Sequence, residues 1–217
     1  MSNKAKAAGG AKHDAVGEKH EVGAPKHDAG GTKLIVLSAP SGTGKSTLAA
    51  MLLKRNPRIK LSISYTTRAP RGEEKNGIHY FFVSETEFQE LVARGQFLEY
   101  AHVFGKSWYG TARSTVEKML AAGNHVLFDI DVQGAASLKK SFGSRCVTIF
   151  ILPPSLPELE ARLRNRKTDS PEAIEARLKT AREELKAAPT FDHQLVNHDL
   201  EGTYRELERV LEKAGCL

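Results

Sequence analysis

The stretch Ala39-Pro40-Ser41-Gly42-Thr43-Gly44-Lys45-Ser46 sets two closely spaced glycines directly before a cation and a hydroxyl. Glycines so placed let successive backbone N–H groups curl around one centre, and a helix starting at that point adds the positive end of its dipole. Such an arrangement is a phosphate cradle. It matches the phosphate-binding loop GxxxxGK then Ser or Thr, with Ala39 in place of the first glycine. On this reading Ser41, Gly42, Thr43, Gly44, Lys45, Ser46 and Thr47 surround the phosphates of ATP. Lys45 reaches the β- and γ-phosphates, and Ser46 holds Mg²⁺ together with phosphate oxygens and water. Alanine at the first position is a small change, because the backbone approaches the phosphate most closely at the later glycines. Two further groups of cations follow. Arg68 and Arg71, with Tyr80 nearby, have the spacing to grip a second phosphate through charge-assisted hydrogen bonds. Arg162 and Arg166, four apart, share one face of any helix they occupy, and Arg177 follows.

These groups need a scaffold. From Lys33 onward short apolar runs alternate with longer amphipathic segments, the pattern of strands crossed by helices around a largely parallel sheet. Five strands are predicted, at 34–37, 61–65, 125–130, 146–152 and 194–196. Helices are predicted after Gly44 and over 115–122, 135–140, 155–166, 171–187 and 200–214. Ser170 followed by Pro171 is a cap and first-turn pair. The stretch between Thr66 and Thr111 differs. It has an Arg- and Gly-rich turn, an aromatic strand at 78–83, a capping box at Ser84-Glu85-Thr86-Glu87 opening a short helix, and a strand at 97–103. The expected fold is α/β, a five-stranded parallel sheet flanked by helices with an inserted mixed β/α lobe. The corresponding division is a disordered tail over 1–32, a core of 33–65, 112–152 and 188–217, the inserted lobe over 66–111, and a helical segment over 153–187.

A phosphate-binding loop alone suits a GTPase, a transport ATPase or a kinase, so the acceptor must be read elsewhere. The run Ser64-Tyr65-Thr66-Thr67-Arg68-Ala69-Pro70-Arg71-Gly72-Glu73-Glu74, followed by Asn76-Gly77-Ile78-His79-Tyr80, closely resembles the signature of guanylate kinases. Phe97-Leu98-Glu99-Tyr100, Tyr109-Gly110-Thr111, Asp129-Ile130-Asp131-Val132-Gln133-Gly134 and Pro153-Pro154-Ser155 stand in that family's order and at nearly its spacing. The resemblance runs from about Lys33 to the C-terminus and implies a P-loop kinase core, with the lobe over 66–111 taking the acceptor nucleotide and 153–187 forming a helical lid. It implies transfer of the ATP γ-phosphate to GMP, with Mg²⁺ accompanying the ATP. It also implies that Ser64, Arg68, Arg71, Glu74, Tyr80, Glu99, Tyr109, Thr111, Asp129 and Asp131 hold the acceptor. Arg162, Arg166 and Asn197 join the ATP site, and Lys45, Arg71, Arg166 and Arg177 neutralise charge during transfer. The chemistry of guanine agrees. Its N1–H and N2–H₂ are neighbouring donors that a carboxylate such as Glu99 accepts together, and hydroxyls of Ser64 and Thr111 can donate to O6. Adenine would leave that carboxylate unpaired. Two departures stand out: Val196-Asn197-His198-Asp199 where Val-Asn-Asp-Asp is commonest, and a loop before Tyr109 one residue longer than usual.

Composition narrows the alternatives. Among 217 residues there are two cysteines, too few for a disulfide framework or a CxxC metal pattern, which fits a reducing cytoplasm. Neither a membrane-spanning apolar run nor a secretory apolar stretch is present. The net charge is +6, and the segment up to Thr32 holds five Lys against four Asp and Glu, so the basic excess belongs to the remainder. Nucleotide phosphates account for it without DNA or RNA. The tail repeats Lys-His-Asp or Lys-His-Glu at His13, His20 and His27 but has too few apolar side chains to bury a core. The rival of another class is a guanylate-kinase-like binding module that recognises phosphorylated proteins; the intact Gly44-Lys45-Ser46 opposes it. The partners expected are ATP and GMP, without nucleic acid or membrane, and the oligomeric state is open.

Overall fold

The computed structural model describes residues 31–103, 105–165 and 170–217. Arg166, expected in both the ATP site and the catalytic set, and the tail up to residue 30 lie outside them. The chain folds as β1 (Leu34–Ser38), α1 (Lys45–Arg55), β2 (Ile59–Leu61), β3 (Tyr65–Thr66), β4 (Phe81–Phe82), α2 (Glu85–Ala93), β5 (Phe97–Val103) and β6 (Ser107–Ala112). It continues as α3 (Arg113–Ala121), β7 (His125–Asp129), α4 (Val132–Phe142), β8 (Cys146–Leu152), α5 (Leu156–Asn165), α6 (Pro171–Leu185), β9 (His193–Val196) and α7 (Leu200–Lys213).

Five strands form one sheet in the order β2-β7-β1-β8-β9, every neighbouring pair parallel. The central strand β1 is wholly buried, and its side chains alternate between two cores. Ile35 and Leu37 pack with Leu48, Leu52, Tyr204 and Leu207 from α1 and α7. Leu34 and Val36 pack with Val116, Phe128, Leu138 and Phe150 beneath α3 and α4. A run apolar at every position is what two-sided burial requires. Helices α5 and α6 enclose a third, smaller cluster of Leu159, Leu163, Ile174, Leu178 and Ala181.

A second sheet, β4-β3-β6-β5, is mixed: β3 pairs parallel with β4 and antiparallel with β6, which pairs antiparallel with β5. It is built largely on aromatic packing, with Tyr65 stacked on Phe81 at 4.7 Å and Phe88 on Phe97 at 4.6 Å between centroids. Helix α2 begins with the expected capping box, Ser84 with Glu87.

The strand expected over 61–65 is two strands in different sheets. Ile59, 2 % exposed, anchors β2 opposite His125, and the Ser62 N–H still reaches the Leu127 carbonyl at 2.8 Å. The chain then leaves the parallel sheet, and Tyr65 joins the aromatic packing of the other one. The strand expected over 78–83 shrinks to Phe81–Phe82 because Lys75 to His79 form a turn, with Gly77 at φ 75° and Ile78 and His79 N–H groups both on the Lys75 carbonyl. Helix α4 starts three residues early because the Asp131 side chain caps it, accepting from the Gln133 and Gly134 N–H groups at 3.1 and 2.9 Å.

Candidate active site

The loop between β1 and α1 turns through Gly42 and Gly44, whose φ values of 96° and 95° only glycine adopts without strain. Both also need their missing side chain: a Cβ on Gly44 would stand 2.5 Å from the Asn197 amide nitrogen, and one on Gly42 3.0 Å from Leu163 of α5. The Thr43 hydroxyl, fully buried, donates to the Pro40 carbonyl at 2.8 Å. Among the described residues, no backbone acceptor is used by the N–H groups of Gly42, Gly44, Lys45 or Ser46. These donors, at the start of an eleven-residue helix, form an anion site.

Side chains brace the loop from behind. Asn197, 2 % exposed, donates from Nδ2 to the Thr43 carbonyl at 2.6 Å and accepts on Oδ1 from Thr203 at 3.1 Å. Arg162 donates to the Asn197 carbonyl at 3.1 Å, and Arg177 to the Ser41 hydroxyl at 2.8 Å. Asn197 was expected at the nucleotide itself. In this structure one of its amide N–H groups holds the Thr43 carbonyl and its oxygen holds Thr203, so it braces the loop backbone. Ser46 and Thr47 are exposed on the first turn of α1.

In front of the loop lies a cleft of about 200 Å³ shared by both sheets. Lys45, Ser64, Tyr80, Glu99, Tyr109, Asp129 and Asp131, predicted from separate motifs, all line it. Lys45 is ion-paired with Asp129 and donates to the Ile130 carbonyl at 3.4 Å. Glu99, only 7 % exposed, comes from β5 just past a register irregularity between Phe97 and Glu99. Burial pushes its carboxyl up to about 7, against the pull of a 2.6 Å hydrogen bond from the Thr111 hydroxyl opposite. Thr111 was expected to meet a ligand oxygen. It is fully buried with its proton on Glu99, so it orients the carboxylate.

The Arg68 cluster stands behind the cleft. Its guanidinium bonds Glu74 through two 3.0 Å contacts, Tyr109 OH through Nε at 3.0 Å and the Ala69 carbonyl at 2.6 Å, and it lies 5.4 Å from the Tyr80 ring centroid. The Arg68 hydrogen bond holds Glu74 below the usual carboxylate range. Glu74 therefore serves as Arg68's partner here, and Arg68 reaches the cleft through Tyr80 and Tyr109. Arg71 is exposed, outside the cleft lining, with its N–H on Glu74 at 2.8 Å.

Residues 31–214 match the family described as guanylate kinase. The chain belongs to that family. Guanylate kinase of Bacteroides fragilis is 46 % identical over 83 % of this chain and 89 % of its own length. That of Anaeromyxobacter dehalogenans is 50 % identical over 82 % of this chain and 79 % of its own. The crystal structure of guanylate kinase from Anaplasma phagocytophilum superposes with a TM-score of 0.69 at 36 % identity, covering 84 % of this chain and 85 % of that one.

Within this guanylate kinase fold, two contributors escaped the sequence reasoning. Glu184, in the last turn of α6, lines the cleft; burial lifts its carboxyl to about 7, with Lys45 pulling it down and Asp131 pushing it up. Gly134 supplies room for Glu99: a Cβ there would lie 2.9 Å from Glu99 Oε2. Glu184 carries no local signal, since a Glu in a charged amphipathic helix looks like surface until the helix is docked, and Gly134 stands in the 129–134 motif without showing by its type that it makes room for Glu99.

Proposed function

We propose that this protein transfers the γ-phosphate of ATP to GMP, giving ADP and GDP, as part of purine nucleotide metabolism in the cytoplasm. The observation that carries the reading is the buried Glu99 carboxylate, held by Thr111 and facing the same cleft as Lys45 of the phosphate-binding loop. Guanine N1–H and N2–H₂ supply the two donors that Glu99 lacks, with Ser64 beside O6. The acceptor phosphate then lies toward Tyr80, Tyr109 and Lys45. Arg71, exposed outside the cleft lining, swings onto it, while Arg68 holds the two tyrosines in place.

An oxygen of the GMP phosphate, already ionised at neutral pH, attacks the γ-phosphorus; the new O–P bond forms as the bond to the β–γ bridging oxygen breaks, and ADP carries that electron pair away. No general base is required, so catalysis consists of alignment and neutralisation of charge spread over the phosphoryl oxygens. Lys45 leaves Asp129 for the phosphates, and Arg177, already at the loop through Ser41, follows it. Arg162 and Asn197 set the loop, and Arg166 completes the cationic group. Among the described residues no group of three or more His, Cys, Asp or Glu could hold a metal ion. The exposed Ser46 hydroxyl fits Mg²⁺, which commonly takes few protein ligands and keeps waters and substrate phosphates. When bound with ATP, the ion supplies further neutralisation of phosphate charge.

Residues 66–111 act as the acceptor lobe and 153–187 as a lid, closing around hinges near Thr66 and within 153–170 to exclude water. The partners are the two nucleotides, with no nucleic acid or membrane, and no described helix is long and apolar enough to cross a membrane. The test follows ADP formation from ATP and Mg²⁺ with GMP, AMP, UMP and CMP in turn. Turnover with GMP alone is expected. Turnover with none would transfer the reading to a phosphoprotein-binding module.

A further inference from the structure

The cleft contains one acidic group without a hydrogen-bond donor. Asp129 is paired with Lys45, Asp131 caps α4, and Glu99 accepts from Thr111. Glu184 projects into the same space from α6 and, among the described residues, accepts no hydrogen bond and forms no ion pair through its carboxylate. Its helix is anchored on the donor side: Arg177, seven residues or about two turns earlier and so on nearly the same face, bonds Ser41 of the loop. Glu184 is therefore presented to the cleft by an element that is hydrogen-bonded to the phosphate-binding loop.

A mononucleotide offers phosphate oxygens, a base edge and sugar hydroxyls. A carboxylate repels the first, and the donors of a guanine edge are taken up by Glu99. The sugar joins base to phosphate, so with the base on Glu99 and the phosphate toward Lys45 it lies within the same cleft, where Glu184 stands close enough to Lys45 and Asp131 to feel both charges. Of the groups lining the cleft, Glu184 is the acidic one with its acceptors unused. We propose that Glu184 accepts hydrogen bonds from the ribose hydroxyls of the acceptor nucleotide and so makes the site prefer a ribonucleotide over its 2′-deoxy counterpart. Acidic side chains hold ribose hydroxyls in the same way at dinucleotide sites. A site equipped to bond a hydroxyl discriminates strongly against the analogue lacking it, because its own polar group is left unpaired. The proposal rests on the reading of the cleft as the GMP site.

Binding of GMP and dGMP to the full chain, measured by calorimetry without ATP, tests it, alongside kcat/KM for both acceptors in wild type, Glu184→Gln and Glu184→Ala. Wild type is expected to favour GMP by about tenfold or more. Glu184→Ala lowers GMP toward the dGMP value while dGMP holds, bringing the ratio close to one, and Glu184→Gln, which keeps an acceptor oxygen, falls between. A wild-type ratio near one, or loss of both acceptors in parallel with the ratio unchanged, would overturn the proposal; the second result is that of a residue serving only Lys45 or packing. Absence of binding by either nucleotide to wild type would overturn the acceptor reading itself, and this proposal with it.

Discussion

The phosphate-binding loop and the cleft proposed for the acceptor are made in opposite ways. The side chains that brace the loop already have partners: Thr43 on Pro40, Asn197 on Thr43 and Thr203, Arg162 on Asn197. Recognition there is left to backbone N–H groups that cost little to keep in water. The cleft instead holds two carboxyls raised to about 7 by burial, Glu99 and Glu184, neither facing a cation that fully compensates it. One region is a prebuilt cradle, and the other carries a desolvation penalty that the ligand's donors remove. Selectivity belongs to the second, since a site whose groups are already satisfied has no reason to refuse a competitor.

The largest break in this contrast comes from the one side chain that serves both regions. Lys45→Met should cost about a thousandfold in kcat, the scale of losing a transition-state charge partner, with folding intact by circular dichroism. Asn197→Ala strikes only the donor side. It strips partners from Thr43 and Thr203 and should destabilise the protein by about 2 kcal/mol in urea titrations, raising the KM for ATP more than that for GMP. Gly134→Ala strikes only the acceptor side; its methyl would crowd Glu99 Oε2, and kcat/KM for GMP should fall about tenfold, with the KM for ATP unchanged. Acidity sharpens the contrast further. Glu99 accepts both guanine donors only when ionised, so GMP affinity should fall about tenfold from pH 8 to pH 6 for a group titrating near 7, while affinity for ADP should move less. Closure gives the smallest signal, a radius of gyration in solution scattering lower by about 1 Å with both nucleotides bound, as lobe and lid approach; equal radii would count against hinged closure.

What could be read from the sequence follows the same division. The loop is contiguous, and Gly42, Gly44, Lys45 and Ser46 declare their conformation and chemistry locally. Strands β1, β7 and β8 are likewise visible as apolar runs, because burial on both faces leaves no room for polar residues. The cleft gathers side chains from β5, β7, α1 and α6, and only the resemblance brought Glu99 and Asp129 together. Glu184 and Gly134 depend on how α6 and α4 dock, which no local pattern encodes. The division at 59–66 was missed for a related reason. Ser62, Ile63 and Ser64 suit a strand by type, yet which sheet each neighbour joins is decided by pairing with His125 on one side and stacking on Phe81 on the other.

The central claim is that Glu99 is kept at a cost to stability for the sake of the acceptor, and Glu99→Gln tests it with one substitution and two readouts. A carboxyl raised from 4.5 to about 7 binds more protons in the folded state, so its contribution is retained below about pH 4.5 and lost as pH rises to about 7. The neutral amide keeps the Thr111 hydrogen bond and removes that penalty. Chemical unfolding at pH 8 should therefore show the variant more stable than wild type by about 1–3 kcal/mol, the gain vanishing near pH 4.5, while kcat/KM for GMP falls by about a hundredfold or more. A variant that is less stable at pH 8, or that phosphorylates GMP as well as wild type does, would contradict the account.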